Sequence, residues 1–303
     1  MRLTLDTPPG FSFERTVRSH GWWSLRPFEP EGRDGLRAVL ALPRGGACPI
    51  LLRAGNGAVV LETPGSPGSG RRRQIEQAAR RILNLDLDLT PFYRLVRRER
   101  GTRWIAETGS GRLLRSGSLF EDLVKLVLTT NCSWALTTRM VDGLVEHYGD
   151  RAPDGSRCFP RAERLAHVPE RSLREKVKTG YRAPQLARLV REVAAGRTDP
   201  EGWERDDRNP EELRGEMLAL PGVGPYVAEN MLRLLGRPRG LALDSWLRAK
   251  YARVYHGGRR VTDRTIARRY ARFGDWGGLA FWCEMTRDWF SGDGPSRLGV
   301  ELK

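Results

Sequence analysis

"LALPGVGPYVAENMLRLLG", residues 218–236, is followed almost at once by "LALDSWLRAKY", residues 241–251. In the first stretch Leu220 and Pro221 lead into two glycines one residue apart, Gly222 and Gly224, and Pro225 then opens a run of helical periodicity. Proline at a first helical position and glycine in the link mark two helices joined by a tight turn. Glycine admits backbone conformations that other residues resist and lets a ligand come close. Free N–H groups at the start of the second helix suit a phosphate, helped by the helix dipole. An ordinary packing corner would use the same residues, so the turn by itself leaves both readings open. In the second stretch Asp244 follows apolar Leu241, Ala242 and Leu243 and stands just before a helical run, the place of an N-cap.

The surrounding composition bears on the choice. Across 303 residues, Lys and Arg total 52 against 37 Asp and Glu, a formal net charge of +15. That excess points to an anionic partner, nucleic acid first, although GC-rich coding also raises arginine. Lysine is scarce: Lys125, Lys176, Lys178, Lys250 and the terminal Lys303. Cys48, Cys132, Cys158 and Cys283 are too scattered for a zinc or iron–sulfur ligand set. The first ten residues lack a basic start followed by an apolar run, and no stretch has the length of a membrane span. The expectation is a reduced cytoplasmic protein, associated with the nucleoid, with no membrane partner.

Residues 11–63 read as strands, from "FSFERTVRSHGWW" through "LRAVLAL" and "PILLRAG" to "AVVLETPG". After the loop "TPGSPGSGRRR" the texture turns helical. Thr90 and Pro91 read as N-cap and first helical residue, and Ser118 with Glu121 as a capping box. Phe120, Leu123, Val124, Val127 and Leu128 share one helix face. The fold expected is mainly α with a smaller β-rich N-terminal domain, an α+β chain. Its parts are a β-rich unit over 1–70, a helical linker region over 71–116 and a helical body over 117–303.

"LPGVGPYVA" and "LALDSWLR", in that order and spacing, resemble the hairpin and aspartate segments of the helix–hairpin–helix DNA glycosylase superfamily. "SLFEDLVKLVLTTNCSW", "GYRAPQLARLVREV" and "FGDWGGLAFWCEMTRDW" resemble three further segments of that family, so the likeness runs from about Ser118 to Phe290. It is nearest to the 3-methyladenine and 8-oxoguanine branches without an iron–sulfur cluster. The resemblance implies that Leu220, Gly222, Val223 and Gly224 grip the backbone of double-stranded DNA containing a damaged base. A Na or K ion at the Leu220 and Val223 carbonyls would be structural, and no catalytic metal or cofactor is expected. Asn131 takes the wedge position that fills the gap left by a flipped nucleotide, with Thr130 and Ser133 lining the same turn; a plain link between helices is the alternative.

Cleaving an N-glycosidic bond builds positive charge on the sugar, which a fixed carboxylate in a dry cleft stabilises. The resemblance gives that role to Asp244, and a capping role is compatible with it. Bifunctional members carry a lysine nucleophile where this chain has Tyr226, and a tyrosine forms no Schiff base. The chain thus reads as a monofunctional, monomeric glycosylase, with Lys125 the lysine best placed to restore lyase chemistry and each lysine otherwise solvated or facing phosphate. Tyr226, Tyr181, Trp134 and Trp246 are the expected base pocket, and Trp282 reads as core. Aromatic walls favour an alkylated purine. Alternatives are 8-oxoguanine or another oxidised base, or a non-catalytic damage-binding protein.

Overall fold

Apolar residues at every second position in 35–41, 47–54 and 58–62 make strands with one buried face. The structure, a computed structural model, describes residues 1–43 and 45–290; Lys303 and the end of the expected helical body lie outside the described residues. β1 (Arg2–Asp6), β2 (Glu29–Glu31), β3 (Gly35–Ala41), β4 (Ala47–Ala54) and β5 (Ala58–Glu62) form an antiparallel sheet in the order β1–β5–β4–β3–β2. Its register sets Leu36 opposite Leu52 and Leu52 opposite Leu61, a fully buried row that faces the helices.

The helices are α1 (Phe13–Val17), α2 (Ser69–Ile82), α3 (Thr90–Arg97), α4 (Arg103–Glu107), α5 (Leu119–Thr129), α6 (Trp134–Tyr148), α7 (Ala162–Ala166), α8 (Glu170–Glu175), α9 (Ala183–Ala194), α10 (Pro210–Leu218), α11 (Pro225–Leu234), α12 (Ser245–His256), α13 (Asp263–Tyr270) and α14 (Gly277–Met285). Sheet and helices share one hydrophobic core, so the chain is α+β as expected. No helix among the described residues is long and apolar enough to cross a membrane.

Two local expectations change. "FSFERTVRSHGWW" is not a strand: Ser12 caps α1 through its hydroxyl, Phe13, Thr16 and Val17 are buried at helical spacing, and a 3-10 turn follows over Gly21–Ser24. Thr90 lies inside α3 rather than capping it, because Asp88 Oδ1 accepts the Thr90 N–H at 2.8 Å and forms the turn that starts the helix. Ser118 does cap α5, accepting the Glu121 N–H at 3.2 Å.

The larger correction concerns α5 itself. An amphipathic reading leaves Glu121, Asp122 and Lys125 toward solvent, yet every residue from Leu119 to Leu128 is buried. Residues of the N-terminal segment cover the second face: Lys125 Nζ lies 4.9 Å from the Phe28 ring centre and 5.9 Å from that of Trp22. Lys125 is therefore neither solvated nor at a phosphate-facing surface. Its Nζ donates to Glu121 Oε1 at 2.6 Å and to Ser116 Oγ at 3.3 Å. Asp122 Oδ1 accepts the Ser116 N–H at 2.9 Å and the Trp22 Nε1–H at 2.7 Å. Charges this deep persist only when paired.

Lys125→Ala leaves the Glu121 carboxylate buried without its partner, and it should lower unfolding stability by about 3–5 kcal/mol. The pair Lys125→Met with Glu121→Leu should recover most of that loss in denaturant titrations. A loss for the single variant no larger than the roughly 1 kcal/mol of a surface pair would show that water reaches the site.

Candidate active site

The turn between α10 and α11 places the glycines at the mouth of a cavity of about 840 Å³. Val223 N–H donates to the Leu220 carbonyl at 3.2 Å, closing the turn. Gly222 has φ +78°, a left-handed conformation that side chains resist. Gly224 needs no such freedom: it is the extended N-cap of α11, with φ −105°. Open space surrounds the position a Cβ would take there, so the backbone is approachable. No side chain caps α11, and Pro225 fills its first position, which leaves the first-turn N–H groups free to meet an anion.

Near the end of α11, the chain is tied to the segment that carries the aspartate. Arg233 is 4% exposed. It donates from Nη1 to Asn230 Oδ1 at 2.9 Å and from Nη2 to the Leu241 carbonyl at 2.9 Å. Burial pushes its pKa down to about 10. Next to the bonded carbonyl, Ala242 is held at φ +48°, a strained position for a residue with a Cβ. The chain then delivers Asp244 as N-cap of α12, with Oδ1 accepting the Leu247 N–H at 2.7 Å. Cap and cavity-facing carboxylate are thus the same residue. Desolvation raises the Asp244 carboxyl above the ordinary carboxylate range, and the Leu247 N–H, Arg248 and Arg233 oppose that rise.

Most of the remaining expected residues meet at this cavity. Tyr226, Trp134, Trp246, Tyr181, Thr130 and Asn131 all line it, whereas Ser133 is exposed and caps α6 instead. Burial, with the Asp244 charge adding to it, pushes the Tyr226 hydroxyl up to about 12. Tyr181 is 64% exposed and stands at the rim, with the Arg182 guanidinium 4.5 Å from its ring centre. Asn131 is exposed at φ +48°, a conformation asparagine tolerates. The buried Arg182 donates to the carbonyl of Thr130, so the residue that precedes α9 supports the turn at Thr130 and Asn131.

Several cavity residues escaped the sequence reading. Trp282, taken as core, lines the cavity, and its Nε1–H donates to the Ser19 carbonyl at 2.9 Å. Trp289 completes an aromatic wall, 5.8 Å from Trp282 and 6.0 Å from Trp246 between ring centres. His20, Gly21 and Trp22 enter from the N-terminal segment, and Arg233 from α11. Arg233 carried one legible signal, an arginine at the last buried turn of an otherwise apolar helix face. Lys125 lines no part of this cavity, and Lys250 pairs with Asp288.

No family model matches the chain. It is 27% identical over 299 residues to the probable N-glycosylase/DNA lyase of Methanothermobacter thermautotrophicus, across 88% of this chain and 90% of that protein. It is 31% identical over 263 residues to the probable bifunctional transcriptional activator/DNA repair enzyme AlkA of Mycobacterium tuberculosis, across 75% of this chain and 49% of that protein, so it spans about half the length of this relative. The solved 3-methyladenine DNA glycosylase of Archaeoglobus fulgidus has the same fold, with a TM-score of 0.72 at 20% identity over 96% of this chain and 99% of that one. The relatives that this chain resembles along most of its length, and the solved structures whose fold it shares, are helix–hairpin–helix DNA glycosylases.

Proposed function

We propose that this chain is a monofunctional DNA glycosylase of base excision repair that hydrolyses the N-glycosidic bond of a damaged purine. One observation carries the reading: Asp244, fixed as a helix cap, lines a cavity with several tryptophans and Tyr226, and the glycines of the hairpin turn line the same cavity. As the bond between C1′ and the base nitrogen breaks, the bonding pair leaves with the base. Asp244 stabilises the cationic sugar and takes a proton from the attacking water, whose oxygen bonds to C1′; a purine made cationic by alkylation leaves as the neutral base, whereas a neutral purine leaves as an anion that takes a proton from solvent. The carboxylate is preorganised, because its cap bond holds it before substrate arrives.

An alkylated purine is the substrate this reading favours. The aromatic faces of Trp246, Trp282, Trp289 and Tyr226 support it, as do the names of two relatives, AlkA and a 3-methyladenine glycosylase. The lyase in another relative's name, together with Asn131 at the wedge, supports the second reading, an oxidised purine. Hydrolysis without strand cleavage is supported by Tyr226 at the nucleophile's place and by the burial of Lys125 in its ion pair. The hairpin would bind duplex DNA through its free N–H groups. A Na or K ion on the Leu220 and Val223 carbonyls remains compatible, since the turn bond uses one of the two lone pairs on Leu220 O.

Asp244→Asn should cut excision by about 100-fold or more in an assay that cleaves abasic products with alkali. Asparagine caps a helix as well as aspartate does. The raised carboxyl also makes the ionised form costly in the folded state, a cost that grows as pH rises through the pKa. The variant should therefore be at least as stable as the parent at neutral pH. In the parent, excision should fall on the acid side at a higher pH than for an ordinary carboxylate. Normal excision by Asp244→Asn would leave the residue only a cap.

Incubation of the enzyme with abasic duplex and borohydride should yield no covalent protein–DNA adduct. An adduct that persists in Lys125→Met would place the amine elsewhere and make the enzyme bifunctional.

Gly222→Val introduces a β-branched residue at φ +78°, with its Cβ about 3.2 Å from that of Gln185. It should weaken binding to damaged and undamaged duplexes by the same factor. For the parent, log affinity should fall linearly with log salt. A Gly222→Val defect confined to damaged duplex would contradict a backbone grip.

A further inference from the structure

The N-terminal segment contributes to the cavity a group whose hydrogen-bonding sense is fixed. His20 Nε2 lies 2.7 Å from the Leu114 carbonyl. A carbonyl oxygen only accepts, so Nε2 carries the hydrogen and Nδ1 carries a lone pair. His20 is half-buried at the cavity wall, and among the described residues its Nδ1 has no hydrogen-bond partner. The ring cannot easily turn. It packs edge-on against Trp22 with ring centres 5.0 Å apart, and Trp22 is held by its bond to Asp122. Gly21 lets the Trp134 ring lie against the backbone of the same turn, since a Cβ there would sit 2.3 Å from Trp134 Cη2. Burial pushes the His20 pKa down to about 4, and the charges of Arg233 and Lys125 act in the same direction against the pull of the Leu114 carbonyl. The imidazole stays neutral, and its free nitrogen stays an acceptor.

On the side of the wall where His20 lies, several donors are committed elsewhere. The Trp22 and Trp282 N–H groups bond to Asp122 and to the Ser19 carbonyl. Arg233 spends its Nη groups on Asn230 and Leu241. Asp244 accepts the Leu247 N–H, and its role in the reaction is toward the sugar.

We propose that His20 is a specificity-determining residue: its Nδ1 accepts a hydrogen bond from an N–H of the flipped-out purine, so the pocket selects lesions with a donor edge over lesions whose edges only accept. This rests on the glycosylase reading above and deepens it. An acceptor-only base would set its lone pair against that of Nδ1 and shield both from water, leaving each unpaired.

The test compares two neutral purine lesions in otherwise identical duplexes: hypoxanthine, which has an N1–H, and 1,N6-ethenoadenine, which has no N–H. The quantity read is the ratio of their excision rates in the parent, in His20→Phe and in His20→Gln. Phenylalanine fills the space without an acceptor, whereas glutamine restores one donor for Leu114 and one acceptor for the base. The ratio of hypoxanthine to ethenoadenine excision should fall about 10- to 100-fold in His20→Phe and recover in His20→Gln. Equal losses on both lesions would mark His20 as scaffold only and overturn the proposal, as would a ratio that glutamine fails to restore. The same ratio read as duplex affinity, with each His20 variant in an Asp244→Asn background, does not depend on bond cleavage. If neither lesion is excised by the parent, the glycosylase reading is in difficulty, and the affinity ratio still decides the role of His20.

Discussion

The guanidinium of Arg233 joins the two halves of the site. Bonded to Asn230 within α11 and to the carbonyl of Leu241 beyond it, it fixes how the chain leaves one helix and enters the next. Tyr226 at the start of α11 and Asp244 at the start of α12 face one cavity because this link is rigid. The arrangement costs free energy twice. A nearly buried guanidinium gives up water, with its Nε left unpaired, and Ala242 sits in a left-handed conformation at a cost of about 1–3 kcal/mol. Backbone strain beside a reactive carboxylate, held by a buried charge, is expected where position matters more than stability.

α5 supports the same site from the other side. Its end leads into the turn at Thr130 and Asn131, and its buried Asp122 holds the indole of Trp22 at the cavity wall. Because α5 is enclosed all round, the sheet-bearing N-terminal segment is part of the active centre rather than an appendage. It covers the ion pair of Lys125 and Glu121 and supplies His20, Gly21 and Trp22 to the cavity. Those three residues lie more than a hundred positions before the turn at Thr130 and Asn131, yet they share a wall with it.

The charges of the cavity bear on how a base leaves. Arg233 and Asp244 line it with opposite signs, Arg248 lines it while paired with Asp263, and the histidine contributes no charge. A cationic purine leaves readily but is opposed by the guanidinium. A neutral purine leaves as a developing anion, which the same guanidinium stabilises through space. Aromatic stacking would serve both, so on the proposed function the polar groups would decide between lesions while the tryptophans hold the base.

The sequence alone determined the features that depend on neighbours along the chain. The proline and glycine pattern at 220–225 dictates a turn between helices, because φ at Gly222 is open only to glycine and Pro225 starts the second helix. Asp244 before an amphipathic run dictates a cap, and alternation over 35–62 dictates a half-buried sheet. That Tyr226 stands where bifunctional members of the family carry an amine came from the resemblance and not from its neighbours. The tertiary structure decided the fate of residues whose environment comes from distant segments. Lys125 reads as a surface charge on its own helix, and only the packing of Phe28 and Trp22 over it makes it a buried ion pair. Trp282 reads as core, and only the path of the chain beyond Asp244 opens a cavity beside it. His20 in "RSHGWW" reads as one residue of a strand. Its hydrogen-bonding sense is set by the carbonyl of Leu114, 94 residues away, and no spacing in the sequence could carry that contact.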